Sequence, residues 1–178
     1  MKLMIASDLH GSAFYTRKLL NAMQRENPDA LWLLGDLLYH GPRNDLPRGY
    51  APKRVIAMLN ACKDRLLCVR GNCDAEVDQM VLDFPITETA VSRPVDGRTF
   101  WLTHGHHPDS VSPSAGDVVL CGHTHVPKKA EQDGVWYLND GSVSIPKERS
   151  PHGYLLYENG VFSWKTLDGK VYDTLTLA

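Results

Sequence analysis

Short apolar runs and helical repeats alternate through the first half of the chain. Lys2 to Ala6 is an apolar run that ends at Ser7 and Asp8, and Ser12 then stands as an N-cap before Phe14, Leu19, Leu20 and Met23 at helical spacing. This pattern predicts a strand, a loop and a helix. The unit recurs: Ala30 to Leu34 precede Gly35-Asp36, Pro52 opens a helix carrying Val55, Ile56 and Leu59, and Leu66 to Val69 precede Gly71-Asn72. Beyond Phe84 the rhythm changes. Short β-branched and aromatic runs are separated by Asp96-Gly97, Asp133-Gly134 and Asn159-Gly160, dipeptides suited to two-residue hairpin turns. The pattern predicts an α/β fold in which two facing sheets are flanked by helices. No linker or repeat divides it, so a single domain over residues 1–178 is expected.

Composition narrows the picture. A chain of 178 residues with 43% hydrophobic and 22% charged residues is long enough to bury one substantial core, and these values exclude disorder, collagen-like repeats and coiled coils. The net charge of -2 supplies no basic surface for a long nucleic-acid backbone, so a polymer substrate is disfavoured. The first apolar run is too short for a signal-peptide core, and no membrane association is expected. Four cysteines, Cys62, Cys68, Cys73 and Cys121, lack any C-x-x-C spacing and read as reduced thiols of a cytoplasmic protein.

The candidate chemistry lies in the loops that follow the predicted strands, where open α/β sheets deliver functional side chains. Asp8 and His10 stand in DLHG, Asp36 in GDLLYHGP, Asn72 in GNCD, His104 in THGHH, and His123 and His125 in GHTH. Each D-x-H or H-x-H pair, if extended, points both side chains into one volume. One divalent ion takes about four to six donors, so seven donors with a shareable carboxylate suit two ions. Asp36 is the natural bridging carboxylate. Each residue alone has an ordinary explanation as a helix cap or a hydrogen-bonded histidine, but the ordered conjunction beside glycines does not.

That ordered set resembles the calcineurin-like metallophosphoesterase superfamily, and GDLLYHGPRNDLPRGYAP and GNCDAEVDQ look like the YfcE-type phosphodiesterases. The resemblance implies a four-layer αββα sandwich. It also implies one metal held by Asp8, His10, Asp36 and His125, and a second held by Asp36, Asn72, His104 and His123. Manganese is the expected ion, with zinc, nickel and iron(II) as alternatives for a site of imidazole, carboxylate and amide without thiolate. The implied activity is hydrolysis of small phosphodiesters by a hydroxide bridging the two ions. Asp36, Asn72, Cys73 and His104 are the candidate catalytic residues, and Arg43, Asn72 and Cys73 the candidate substrate contacts. Self-association is a further implication of the likeness.

Two positions depart from the wider superfamily. Where GNHD or GNHE carries a histidine able to protonate the leaving oxygen, this chain has Cys73, a poorer proton donor at neutral pH, as the YfcE-type enzymes also do. Asn139 to Ser142 reads NDGS where relatives more often read NPGS; the turn accepts Asp140, so little effect is expected. Arg43 has two readings, a bidentate phosphate contact or a solvent-facing loop residue. His40, His106 and His107 likewise either support the ligands or lie exposed in loops. Among rival functions, a phosphomonoesterase or nuclease would use the same centre. A non-catalytic scaffold, as in one retromer subunit of this fold with altered metal residues, is opposed by the intact set of seven donors.

Overall fold

The computed structural model describes residues 1–177 and contains eleven strands and two α-helices among them. β1 (Lys2–Ala6), β2 (Ala30–Leu33) and β3 (Leu66–Cys68) pair in parallel, joined by the crossover helices α1 (Ala13–Glu26) and α2 (Pro52–Asn60). Ser12 caps α1 by accepting from the Tyr15 amide at 3.1 Å, and Pro52 occupies the first turn of α2, where its missing N–H is not needed.

The second half is largely strand: β4 (Ala90–Val95), β5 (Arg98–Thr103), β6 (Val118–Cys121), β7 (Lys128–Gln132), β8 (Val135–Asn139), β9 (Gly153–Glu158), β10 (Val161–Thr166) and β11 (Val171–Thr176). Three hairpins, β4–β5, β7–β8 and β9–β10, turn at the dipeptides the sequence singles out. Both turn residues have positive φ in each case (Asp96 47° and Gly97 84°; Asp133 53° and Gly134 77°; Asn159 50° and Gly160 82°), the signature of a type I′ turn.

Two mixed sheets result, ordered β11-β10-β9-β1-β2-β3 and β4-β5-β6-β8-β7. One face of the six-stranded sheet packs Met4, Leu31, Leu33 and Tyr154 against Leu19, Met23, Val55 and Leu59 of the helices. Its other face sets Ile5, Trp32, Leu155 and Trp164 against Phe100, Leu102, Leu120 and Leu138 of the five-stranded sheet. Each such side chain, fully buried, stabilises by about 1.5–3 kcal/mol before entropy is counted. Packed sheet on sheet, the C-terminal ends of β1, β2, β3, β5 and β6 carry the loops that bear the candidate donors.

Candidate metal centre

Asp8 and His10 follow β1, Asp36 follows β2, Asn72 follows β3, His104 follows β5, and His123 and His125 follow β6. The D-x-H and H-x-H segments are not extended, contrary to the sequence expectation. Asp8 (φ 58°), His10 (44°), Asp36 (57°), His123 (66°) and His125 (61°) all sit in the left-handed region. Non-glycine residues there cost about 1–3 kcal/mol each, and they persist where surrounding contacts over-determine them. The contacts are present. Asp8 N donates to Gly35 O at 3.1 Å, His10 N to Asp36 O at 2.9 Å, and His123 N to Asp8 Oδ2 at 3.1 Å, lacing the loops of both sheets together.

Three imidazoles are oriented alike. His10, His104 and His125 each place Nδ1 on a backbone carbonyl, of Tyr39 (2.8 Å), Leu34 (2.7 Å) and Ile145 (2.8 Å) respectively. A carbonyl only accepts, so Nδ1 carries the hydrogen and the neutral ring turns the Nε2 lone pair inward. His10 Nε2 and His125 Nε2 lie 3.4 Å apart and each 3.3 Å from Asp8 Oδ1. His104 Nε2 lies 3.3 Å from Asp36 Oδ2 and 3.0 Å from Asn72 Oδ1, which is also 2.8 Å from His123 Nδ1. Asp36 Oδ2 is 3.6 Å from His10 Nε2, linking the two groups.

Among the buried members, Asp8, His10, Asp36, His104 and His125, acceptors facing acceptors at such distances require positive charge between them, while Asn72 is exposed and His123 half-buried. Asp8 Oδ1 is buried without a hydrogen-bond partner. Burial alone would raise the Asp8 pKa, yet His10 and His125 hold this carboxyl far below the usual carboxylate range. Burial disfavours a charged His104, but Asp36 and Asp8 outweigh it and push its pKa up to about 9. Three groups within this cluster are close enough to hold a cation: Asp8, His10 and His125; Asp8, Asp36 and His104; and His10, Asp36 and Cys73. Cys73 also lies near His10 and Asp36, but burial and then the Asp36 charge push its thiol up to about 12, so it stands as a neutral group at the rim.

The model of the calcineurin-like phosphoesterase superfamily domain matches residues 1–159. The chain belongs to this superfamily. It is 44% identical over 166 residues to the phosphodiesterase YfcE of Escherichia coli K12, covering 92% of this chain and 90% of that one. A solved structure of the E. coli phosphoesterase YfcE superposes with a TM-score of 0.95 at 41% identity over the whole of both chains. Vps29 of Entamoeba histolytica complexed with zinc shares the fold at 17% identity, with a TM-score of 0.64 and 99% of each chain covered.

The superfamily motifs point to the donors, while several residues that hold them escape motif reading. Asp74, buried behind the cluster, accepts from the amides of Asp36 (2.8 Å), Leu37 (2.8 Å) and Gly71 (2.7 Å) and so fixes two ligand loops at once. It is the last residue of GNCD, and a carboxylate three residues after a glycine was the available signal. Ser142 and Ser144 donate to Asp8 O at 3.1 and 2.9 Å. Gly122 is required by close approach, since a Cβ there would lie 2.3 Å from Ser7 Oγ and 2.9 Å from Asp8 Oδ2. Asp140 is accepted by its turn, but its carboxyl is buried and lies 2.9 Å from Ser7 Oγ, an effect that reading the turn alone does not anticipate.

A pocket of about 410 Å³ opens over His10, Asp36, Asn72, His123 and His125, with Arg43, Cys73, Thr124 and Lys147 around it. A second, of about 370 Å³, meets it at Asn72 and is lined by Arg70, Thr89, His106 and His107. His106 lies beside His104 (ring centroids 5.3 Å), where burial and then the His104 charge bring its pKa down to about 4. His40 packs between Tyr39 and Tyr50, outside both pockets.

Proposed function

We propose that this chain is a dinuclear metal-dependent phosphodiesterase acting on small phosphodiesters in the cytoplasm. The single observation that carries the reading is that buried Asp36 stands between His10 and His104, its Oδ2 3.6 Å from one Nε2 and 3.3 Å from the other, within a cluster of inward-facing donors. Two divalent ions bound there would supply Lewis acidity and a shared hydroxide nucleophile. Manganese is the first expectation, and zinc, nickel or iron(II) would satisfy the same donors.

The side chains divide the remaining work. Asp36 bridges the two sets, and Asp8, His10 and His125 complete one while Asn72, His104 and His123 complete the other. Asn72 borders both pockets, so its amide can also meet a phosphoryl oxygen between them. Arg43, at the rim of the first pocket, is suited to bind phosphate through its planar fork. Cys73 lines the same pocket as a neutral, weakly acidic thiol. With no imidazole at that position, the leaving oxygen receives little protonation, which favours diesters with leaving groups of low pKa.

The diester preference is supported by the 44% identity to a protein named as a phosphodiesterase. A nuclease is disfavoured by the net charge of -2, and a scaffold by the complete donor set. The test is an assay of metal-stripped protein restored with Mn²⁺, Zn²⁺, Mg²⁺ or Ni²⁺, using bis(p-nitrophenyl) phosphate beside p-nitrophenyl phosphate. Metal-restored cleavage of the diester well above the monoester is expected, with Cys73→His gaining on esters of poor leaving groups. Preferential monoester cleavage would reassign the substrate class, and an unchanged substrate range in Cys73→His would remove the thiol from the account.

A further inference from the structure

We propose that the natural substrate carries a second phosphate group on one arm of its diester, held by Arg43 and Lys147; this rests on the phosphodiesterase reading above. The two pockets meet at Asn72, so a phosphodiester centred over the metal donors sends one arm into each. Beyond the donors, the first pocket is lined by Gly41, Arg43, Asn44, Cys73, Thr124 and Lys147. It offers no aliphatic or aromatic side chain, so an acyl or aryl arm finds nothing to pack against.

Its two cations, Arg43 and Lys147, are exposed and form no ion pair or side-chain hydrogen bond among the described residues, so both are free to meet an anion in this pocket. Both are nonetheless held in place by their backbones. The Lys147 amide donates to His125 O at 3.0 Å, and its carbonyl accepts from Ser150 Oγ at 2.6 Å, so the segment between β8 and β9 that bears Lys147 is tied to the His125 loop. The Arg43 loop is closed by Asn44 Nδ2 donating to His40 O at 2.9 Å.

Charge balance identifies the guest. Two divalent ions, if held against Asp8 and Asp36, would leave two positive charges, which a diester anion and a hydroxide would neutralise. Arg43 and Lys147 then present two further positive charges to the same cavity. A phosphomonoester dianion matches both in charge and in its affinity for a planar guanidinium and an ammonium.

The experiment uses two chromogenic diesters with the same leaving group: thymidine 5′-(p-nitrophenyl phosphate) and its 3′-phosphorylated counterpart. The Mn²⁺-loaded protein is expected to favour the 3′-phosphorylated ester by about tenfold in kcat/KM, chiefly through KM. In Arg43→Gln/Lys147→Met that ratio is expected to fall to about twofold or less. Equal kcat/KM for the two esters in the unmodified protein, or a ratio that survives in the double variant, would overturn the proposal. Calorimetric binding of thymidine 3′,5′-bisphosphate against thymidine 5′-monophosphate decides the matter without turnover. If neither ester is cleaved, the phosphodiesterase reading fails, while tighter binding of the bisphosphate that is lost in the double variant still upholds the anion site. No tighter binding refutes it.

Discussion

Ser7 has one hydroxyl proton and two carboxyl oxygens within reach, Asp8 Oδ2 at 2.6 Å and Asp140 Oδ1 at 2.9 Å. It can donate to one of them, so in the metal-free protein the other contact needs a proton of its own. Asp8 is held ionised by its histidines, and Asp140 is pushed well above the usual carboxylate range by burial and then by the Asp8 charge. A protonated Asp140 would donate to Ser7, which then donates to Asp8. Its folded pKa exceeds its unfolded value, so the folded state keeps a proton that the unfolded chain releases, and stability falls as pH rises above the unfolded pKa of about 4. Asp140→Asn keeps a donor and cannot ionise. Metal-free Asp140→Asn is expected to melt about 3 °C or more above the unmodified protein at pH 7, with the difference closing toward pH 4. Equal melting temperatures at pH 7 would refute a protonated Asp140. None of this was legible in NDGS, because Ser7 lies 133 residues away in the chain.

At the scale of elements, the hairpins are the most local features and the most legible. Asn-Gly and Asp-Gly encode positive φ at adjacent positions, and the three type I′ turns follow without tertiary help. A Cβ at Gly160 would meet nothing within 4 Å, so Gly160→Ala isolates the backbone penalty at φ 82°. The expected loss is about 1 kcal/mol in urea unfolding, with metal-restored activity retained. A loss near zero would mean that the turn relaxes out of its I′ form. α1 and α2 were equally visible, since Ser12 and Pro52 mark their first turns. The antiparallel pairing of β9 with β1, which brings the C-terminal hairpin onto the N-terminal sheet, was not visible. Strand partners that far apart are chosen by the packing of whole faces and not by any local pattern. The donor segments were misread in shape for a related reason. Spacing of two suggests an extended chain, whereas left-handed Asp8, His10, His123 and His125 are imposed by contacts between loops.

At the scale of the molecule, two sheets packed face to face bring five loops into one cluster, and the buried carboxylates and imidazoles collected there suit the divalent cations that the superfamily implies. The candidate donors could be singled out in the sequence because metal chemistry restricts residue type and order. Asp74, Ser142 and Ser144, which fix those donors through backbone amides and a carbonyl, carry common side chains whose role depends on geometry alone. The proposed dinuclear centre turns on Asp36, whose Oδ2 lies 3.6 Å from His10 Nε2 and 3.3 Å from His104 Nε2. The most direct test is a titration of metal-free protein with Mn²⁺, following bound metal by elemental analysis after dialysis and diester cleavage in the same samples. Two ions per chain are expected, with cleavage that rises with occupancy of the second, and at most one tightly held ion with activity lost in Asp36→Asn. Full activity at one ion per chain, or two tightly held ions and undiminished cleavage in Asp36→Asn, would contradict it.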